Sequence, residues 1–107
     1  MRIVKVKKFV LNIVCISSAL GLAAPVLAEA PKSEARCRAC HGVGGAAPIA
    51  DNYPKLSGQN KSYLIESLKS YKADKRSGSM AGIMAAQAKM LSDAEIEALA
   101  AYYAAQK

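Results

Sequence analysis

Cys37-Arg38-Ala39-Cys40-His41-Gly42 gathers two of the chain's three cysteines and its only histidine into six residues. Three chemistries use such a set: a redox-active dithiol, a metal site, and a porphyrin held through both sulfurs. The residues outside the hexapeptide decide among them, and with them the fold.

The first quarter of the 107-residue chain reads as a targeting segment. Arg2, Lys5, Lys7 and Lys8 form a basic front, an apolar run follows from Phe9 to Ala24, and Ala-Pro-Val-Leu-Ala-Glu-Ala over 24–30 sets small residues at the spacing a signal peptidase reads. Cleavage is expected after Ala28, because a cut after Ala30 would leave Pro31 directly behind the scissile bond. A retained membrane anchor is the competing reading. Asn12, Ser17 and Ser18 interrupt the run, however, and it falls short of the ~20 residues a span needs. Cys15 lies within this segment, without the small residues that precede a lipidated cysteine, and is expected to leave with it. The expected organisation is a signal peptide over 1–28 and one domain over 29–107, periplasmic or otherwise exported, with no stable membrane insertion.

Export changes the meaning of the charge. The whole chain carries +7, but four of its fifteen bases and none of its eight acids precede residue 29, so the mature part carries +3. The remaining bases alternate with acids and are not interleaved with aromatic residues, which removes the support for nucleic acid as a partner. The mature 79 residues contain no tryptophan and no phenylalanine, since Phe9 lies in the leader. At that size an apolar core alone is marginal, and something must supplement it.

The organisation of the domain is helical. Residues 31–40 read as a short helix, with Pro31 suited to a first helical position and no breaker from Ser33 to Cys40. The stretch 42–58 concentrates Gly, Pro, Asn and Asp and predicts a long irregular loop. A second helix is expected over about 59–73, with Tyr63, Leu64, Leu68 and Tyr71 recurring on one face. The methionine-bearing stretch 74–90 reads as a loop with at most a short helix after it, because Gly78 and Gly82 interrupt it. The last helix has the clearest start: Ser92 as cap, Glu95 completing a capping box, and Ile96, Leu99, Ala100 and Tyr103 as its buried stripe. No alternating strand pattern appears, so the fold class is all-α.

That organisation weighs against two of the three chemistries. A dithiol of the thioredoxin type needs strands to hold a helix whose N-terminus acidifies the first thiol, whereas here the motif ends its helix, where the dipole raises a thiol pKa. Structural zinc needs four ligands, and the mature chain offers three soft or imidazole candidates within five residues. A porphyrin fits. Two thiols one helical turn apart can each add to one vinyl group of a haem, the adjacent His41 can reach the iron, and the large apolar cofactor supplies the missing core.

The chain resembles the class I cytochromes c, most closely the small bacterial single-haem modules that also occur in tandem in two-haem cytochromes. The likeness covers 32–107 and rests on the order of Cys37, Cys40 and His41, then Gly-Gly-Ala-Ala-Pro-Ile-Ala-Asp-Asn-Tyr-Pro-Lys-Leu-Ser-Gly-Gln over 44–59, the helix over 62–76, the methionine segment, and Leu-Ser-Asp-Ala-Glu-Ile-Glu-Ala-Leu-Ala-Ala-Tyr-Tyr over 91–103. The resemblance implies a small cytochrome c fold, about three main helices and long loops wrapped round one covalent haem c. It implies thioether bonds at Cys37 and Cys40, His41 as proximal iron ligand, and a methionine ahead of the last helix as distal ligand. Met84, seven residues before Leu91, is the expected ligand and Met80 the alternative; the plain reading of any methionine is core filling. Pro48 is the expected acceptor for the ring N–H of His41. Tyr53, Pro54 and Leu56 resemble the segment that packs along the haem, and Tyr102 the aromatic with which the last helix meets the first. One departure stands out: the glycine and aromatic residue that precede CxxCH in many relatives are replaced by Glu-Ala-Pro-Lys-Ser-Glu-Ala-Arg over 29–36.

The expected function is electron transfer, one electron at a time, between redox protein partners met transiently. The chain offers no substrate pocket or acid/base pair of its own. A relay subunit of a larger oxidoreductase and a haem-based gas sensor are the alternatives. Lys55, Lys69, Lys72, Lys75 and Arg76 could form a docking surface, although solubilising charge is their plainer role. The exported protein is expected to begin at Glu29, which intact-mass measurement of material from the periplasmic fraction checks; a mass that retains 1–28 contradicts cleavage.

Overall fold

The computed structural model describes residues 29–107, so the expected signal peptide and Cys15 lie outside the described residues. Among the described residues are four helices and no strand: α1 over Glu34–His41, α2 over Lys61–Lys72, α3 over Ala81–Lys89 and α4 over Asp93–Ala104. One 3-10 turn, Val43–Gly45, follows α1. None of these helices is long and apolar enough to cross a membrane.

Helix α1 begins where the Glu34 N–H donates to the Pro31 carbonyl at 2.9 Å. Glu34 in its first turn and Arg38 in its last complement the helix dipole. It stops at Gly42, whose N–H returns to the Arg38 carbonyl. Glu34 is 2% exposed, a buried carboxylate reached by Arg38 one turn on and by the Tyr103 hydroxyl of α4 through a long hydrogen bond of 3.4 Å. The first and last helices therefore meet through a polar contact, and the aromatic that makes it is Tyr103 instead of the expected Tyr102.

Helix α2 packs against α3 and α4. Its expected apolar face is divided, with Leu64 buried in the core while Tyr63 is 49% exposed at the rim of a cleft. Two residues past the end of the helix, Asp74 adopts a left-handed φ of +56° that a short polar side chain tolerates. The Asp74 carboxylate pairs with Lys89 at 2.6 Å, joining the end of α2 to the end of α3.

The methionine stretch is the main difference from expectation. It forms the nine-residue α3, so Met84 sits on a helix and the domain has four helices where about three main ones were expected. Ala-Gly-Ile-Met-Ala-Ala-Gln-Ala-Lys is rich in strong helix formers, and a single interior glycine costs only ~1 kcal/mol. Ala85 and Ala88 are buried, and their small size suits the close packing of α3 on α2.

Helix α4 follows its sequence closely. Ser92 Oγ accepts from the Glu95 N–H at 3.1 Å while Glu95 Oε1 accepts from the Ser92 N–H at 3.2 Å, closing the capping box. Ile96, Leu99, Ala100 and Tyr103 are all buried, and with Leu64 and Leu91 they make one small core. Substituting Ile96, which is fully buried, with Ala is expected to cost ~2–5 kcal/mol. Ser92→Ala is expected to cost ~1 kcal/mol. Denaturant titration of the haem-loaded protein checks both. The Ser92 backbone and hydroxyl hold the Glu95 carboxyl below its ordinary range. Its contribution is thus present above the ordinary carboxylate pKa and is lost as pH falls through the lowered value, a dependence that Glu95→Gln should remove.

Candidate cofactor site

Cys37, Cys40 and His41 stand at i, i+3 and i+4 on α1, which places them on one helical face. Both cysteines are free thiols and half-buried, and His41 is 7% exposed. Two contacts fix the imidazole. Its Nδ1 lies 2.8 Å from the Pro54 carbonyl oxygen, and the Tyr53 ring packs edge-on at a centroid distance of 6.3 Å and an interplanar angle of 68°. A carbonyl can only accept, so Nδ1 carries the proton and Nε2 keeps the lone pair that a metal requires.

Pro54 thus takes the place expected of Pro48. The chain turns sharply after His41, and the Ile49 N–H donates to the Cys40 carbonyl at 3.1 Å, which holds the 48–49 segment against the end of α1. Six residues later the loop returns beneath the imidazole and delivers the Pro54 carbonyl. Two glycines permit this path. Gly42 has φ +82° and ψ 166°, a region essentially reserved for glycine, and a Cβ there would overlap the Ala47 carbonyl. Gly45 has φ +68°, and a Cβ there would come within 2.7 Å of Leu56 Cβ and 3.0 Å of the Tyr103 ring.

The three α1 residues open onto a cleft of about 530 Å³, within the ~300–1,000 Å³ common for small-molecule sites. Tyr53, Pro54 and Leu56 line it from the loop, Leu64 and Leu68 from α2, and Leu99 and Ala100 from α4. Met80, Ile83, Met84 and Gln87 line it from a third side, and their i, i+3, i+4, i+7 spacing is one face of α3 and its cap. Every expected site residue except Pro48 lines this one cleft. Ile83 and Gln87 were absent from the sequence expectation because the segment read as a loop; its helical periodicity was the signal that could have found them. Gln87 places a buried amide oxygen without a hydrogen-bond partner in the cleft wall. Met80 and Met84 are half-buried, while Met90 is 54% exposed with its sulfur 3.0 Å from Arg36 Nη1.

The chemistry of these groups separates the three readings. Burial pushes the Cys37 thiol above its ordinary value, with the Glu34 charge adding to the rise, which is opposite to the acidified thiol of a redox dithiol. Among the described residues no cluster of three or more His, Cys, Asp and Glu side chains is placed to hold a metal ion, so zinc lacks its ligand set. Haem fits: two thiols one turn apart, an imidazole with Nε2 available, thioether sulfurs across the same cleft, and apolar side chains over most of the wall. Tyr103 beside Cys37 has its phenol raised by burial and by the neighbouring Cys37 and Glu34, so it remains a neutral donor at the back of the site.

Residues 30–105 match the cytochrome c family. Among curated proteins, the chain is 44% identical over 71 residues to cytochrome c-554(548) of Halomonas halodenitrificans, covering 66% of this chain and 84% of that one. It is 42% identical over 77 residues to cytochrome c4 of Stutzerimonas stutzeri, covering 66% and 36% respectively. It is 41% identical over 90 residues to the thiosulfate dehydrogenase electron acceptor of Thiomonas intermedia, covering 83% and 40%. The chain therefore spans about two fifths of the length of the two longer relatives.

Gly42→Ala tests the turn that follows the histidine. Backbone strain alone is worth ~1–3 kcal/mol, and the overlap with Ala47 adds to it. Thermal denaturation of the loaded protein should show a large loss; an unchanged midpoint would mean that the turn is not needed to seat His41.

Proposed function

The chain belongs to the cytochrome c family and carries haem c as an electron carrier, and from that premise we propose that it is an exported carrier whose iron is held between His41 and Met84. The observation that carries this reading is the bond from His41 Nδ1 to the Pro54 carbonyl, which leaves Nε2 as the ligating atom in a cleft that Met84 also lines. When bound, haem supplies a one-electron Fe(III)/Fe(II) couple.

Each protein group has a definable part. Cys37 and Cys40 tether one edge of the cofactor to α1. The Pro54 carbonyl holds the imidazole plane and makes Nε2 a stronger donor. The Met84 thioether, a soft ligand, favours the ferrous form and raises the potential. Three features favour Met84 over its neighbours: Met90 is exposed and engaged by Arg36, Met80 sits at the cap ahead of α3, and Met84 lies within the helix on its cleft face. The leader over 1–28 supports a periplasmic location, where covalent haem attachment fits the two free thiols.

The donor or acceptor is proposed to be a larger oxidoreductase, met through a small and transient interface. One relative is itself named as the electron acceptor of thiosulfate dehydrogenase. A haem-based gas sensor would require an iron position that opens readily.

Optical spectra of wild type, Met84→Ala and Met80→Ala, each loaded by haem-attachment machinery, test the ligand. Met84→Ala is expected to lose the long-wavelength ferric band of methionine-ligated haem and Met80→Ala to keep it; the reverse pattern assigns Met80. Ferrous wild type is expected to bind carbon monoxide slowly and Met84→Ala rapidly. Fast binding by wild type would favour the sensor.

A further inference from the structure

Arg36 and Met90 form a side-chain link from α1 to the C-terminal end of α3. Arg36 Nη1 lies 3.0 Å from the Met90 sulfur, and both residues line the cleft. Met90 is 54% exposed, whereas Met80 and Met84 are half-buried. The backbone that carries Met90 is held on both sides. Its own N–H donates to the Gln87 carbonyl at 3.2 Å, the Leu91 N–H to the Ala88 carbonyl at 3.1 Å, and Lys72 Nζ to the Leu91 carbonyl. The ion pairs among the described residues are Arg38 with Glu34, Lys61 with Glu97 and Lys89 with Asp74, so the charge of Arg36 is not committed to a carboxylate there.

We propose that Met90 is a modification site for oxidants of the hypohalous acid class, and that Arg36 receives the resulting sulfoxide and so tightens the link between α1 and α3. The consequence for the iron rests on the reading of the cleft as the haem site with Met84 as ligand. In the reaction with hypochlorous acid, Met90 Sδ gives up two electrons and gains the oxygen atom, the Cl–O bond breaks, and chloride and a proton leave. Arg36 remains a guanidinium throughout. A thioether sulfur is a weak acceptor, whereas the sulfoxide oxygen is the negative end of a strong dipole. Oxidation therefore converts a weak contact into a charge-assisted hydrogen bond. Because the backbone on either side of Met90 is pinned, the new oxygen stays within reach of the guanidinium.

Selectivity among the three methionines follows from exposure. A Met84 sulfur on iron has its lone pair engaged, and a filled cleft shields Met80 in the wall, so Met90 meets the oxidant first. The link matters because of what it joins. Helix α1 carries Cys37, Cys40 and His41 and packs on the turn that follows it, whereas α3 carries Met84 and packs on α2. Parting Met84 from the iron requires α3 to move away from a cofactor held on α1. A tighter bond between Arg36 and Met90 opposes that movement, so an oxidised domain is closed to entering ligands.

The test treats haem-loaded ferric wild type, Met90→Leu and Arg36→Ala with one molar equivalent of hypochlorous acid. Trypsin cuts after Arg76 and Lys89, so Met80 and Met84 share one peptide while Met90 begins the next, and mass spectrometry reads them separately. The wild type is expected to gain one oxygen on the Met90 peptide before any on the peptide of Met80 and Met84. Imidazole binding to the ferric iron is then expected to slow about fivefold, the difference between a weak hydrogen bond and one to a charged group. Treatment with methionine sulfoxide reductases of both stereospecificities should restore the original rate without any substitution. Met90→Leu should not respond to the oxidant, and Arg36→Ala should gain the oxygen at Met90 without slowing. Oxygen appearing first on the Met80 and Met84 peptide, an oxidised Met90 with unchanged or faster imidazole binding, or equal slowing in Arg36→Ala would each overturn the proposal. A wild type that lacks the spectrum of methionine-ligated haem before oxidant is added overturns the reading of the cleft and this proposal together; with a normal spectrum, the adverse outcomes above overturn this proposal alone.

Discussion

The 2.8 Å hydrogen bond between His41 and the Pro54 carbonyl closes the loop on which the rest of the domain is arranged. On one side of it α1 presents two thiols and an imidazole. On the other, the chain just past Pro54 is stitched inward, with the Leu56 N–H donating to the Gly45 carbonyl and the Gly58 N–H to the Tyr103 carbonyl, both at 2.9 Å. The histidine bond therefore chooses the tautomer and ties the loop to α1, while the Gly58 bond anchors the same loop to α4. A local bond and a long-range one coincide, which is why a loop without regular structure can hold a rigid site.

The small core sets the terms for everything else. Six buried residues centred on Ile96 and Leu99 hold α2 and α4 together, while Cys37 and Leu56 pack on their margin. Apolar side chains that a larger protein would bury against one another here face the cleft, where a flat apolar cofactor becomes their partner. Cofactor binding and core completion are one event in such a domain, so its stability and its redox chemistry are set by overlapping residues.

Some of this was legible from residue order alone. CxxCH needs only helical spacing to place three side chains on one face, and the α4 box and stripe are local patterns that survive in any context. The acceptor for His41 was not legible, because Pro48 and Pro54 are both loop prolines and the choice depends on turns at Gly42 and Gly45 whose dihedral angles follow from tertiary packing. Helix α3 was obscured by Gly78 and Gly82, although its alanines carry the propensity that won. Glu34 could not be read as buried at all, since its burial depends on Tyr103, sixty-nine residues away.

The contact between Glu34 and Tyr103 has a consequence for how such domains are assembled. It brings the first turn of the first helix against the last turn of the final one, so the two ends of the folded unit emerge close together. A unit whose entrance and exit adjoin can be joined to another through a short connection without disturbing either interior. The longer relatives, of which this chain spans about two fifths, have room for a second unit of the same size. The contact between a buried carboxylate and a phenol ahead of CxxCH thus keeps the entrance and the exit of this unit side by side.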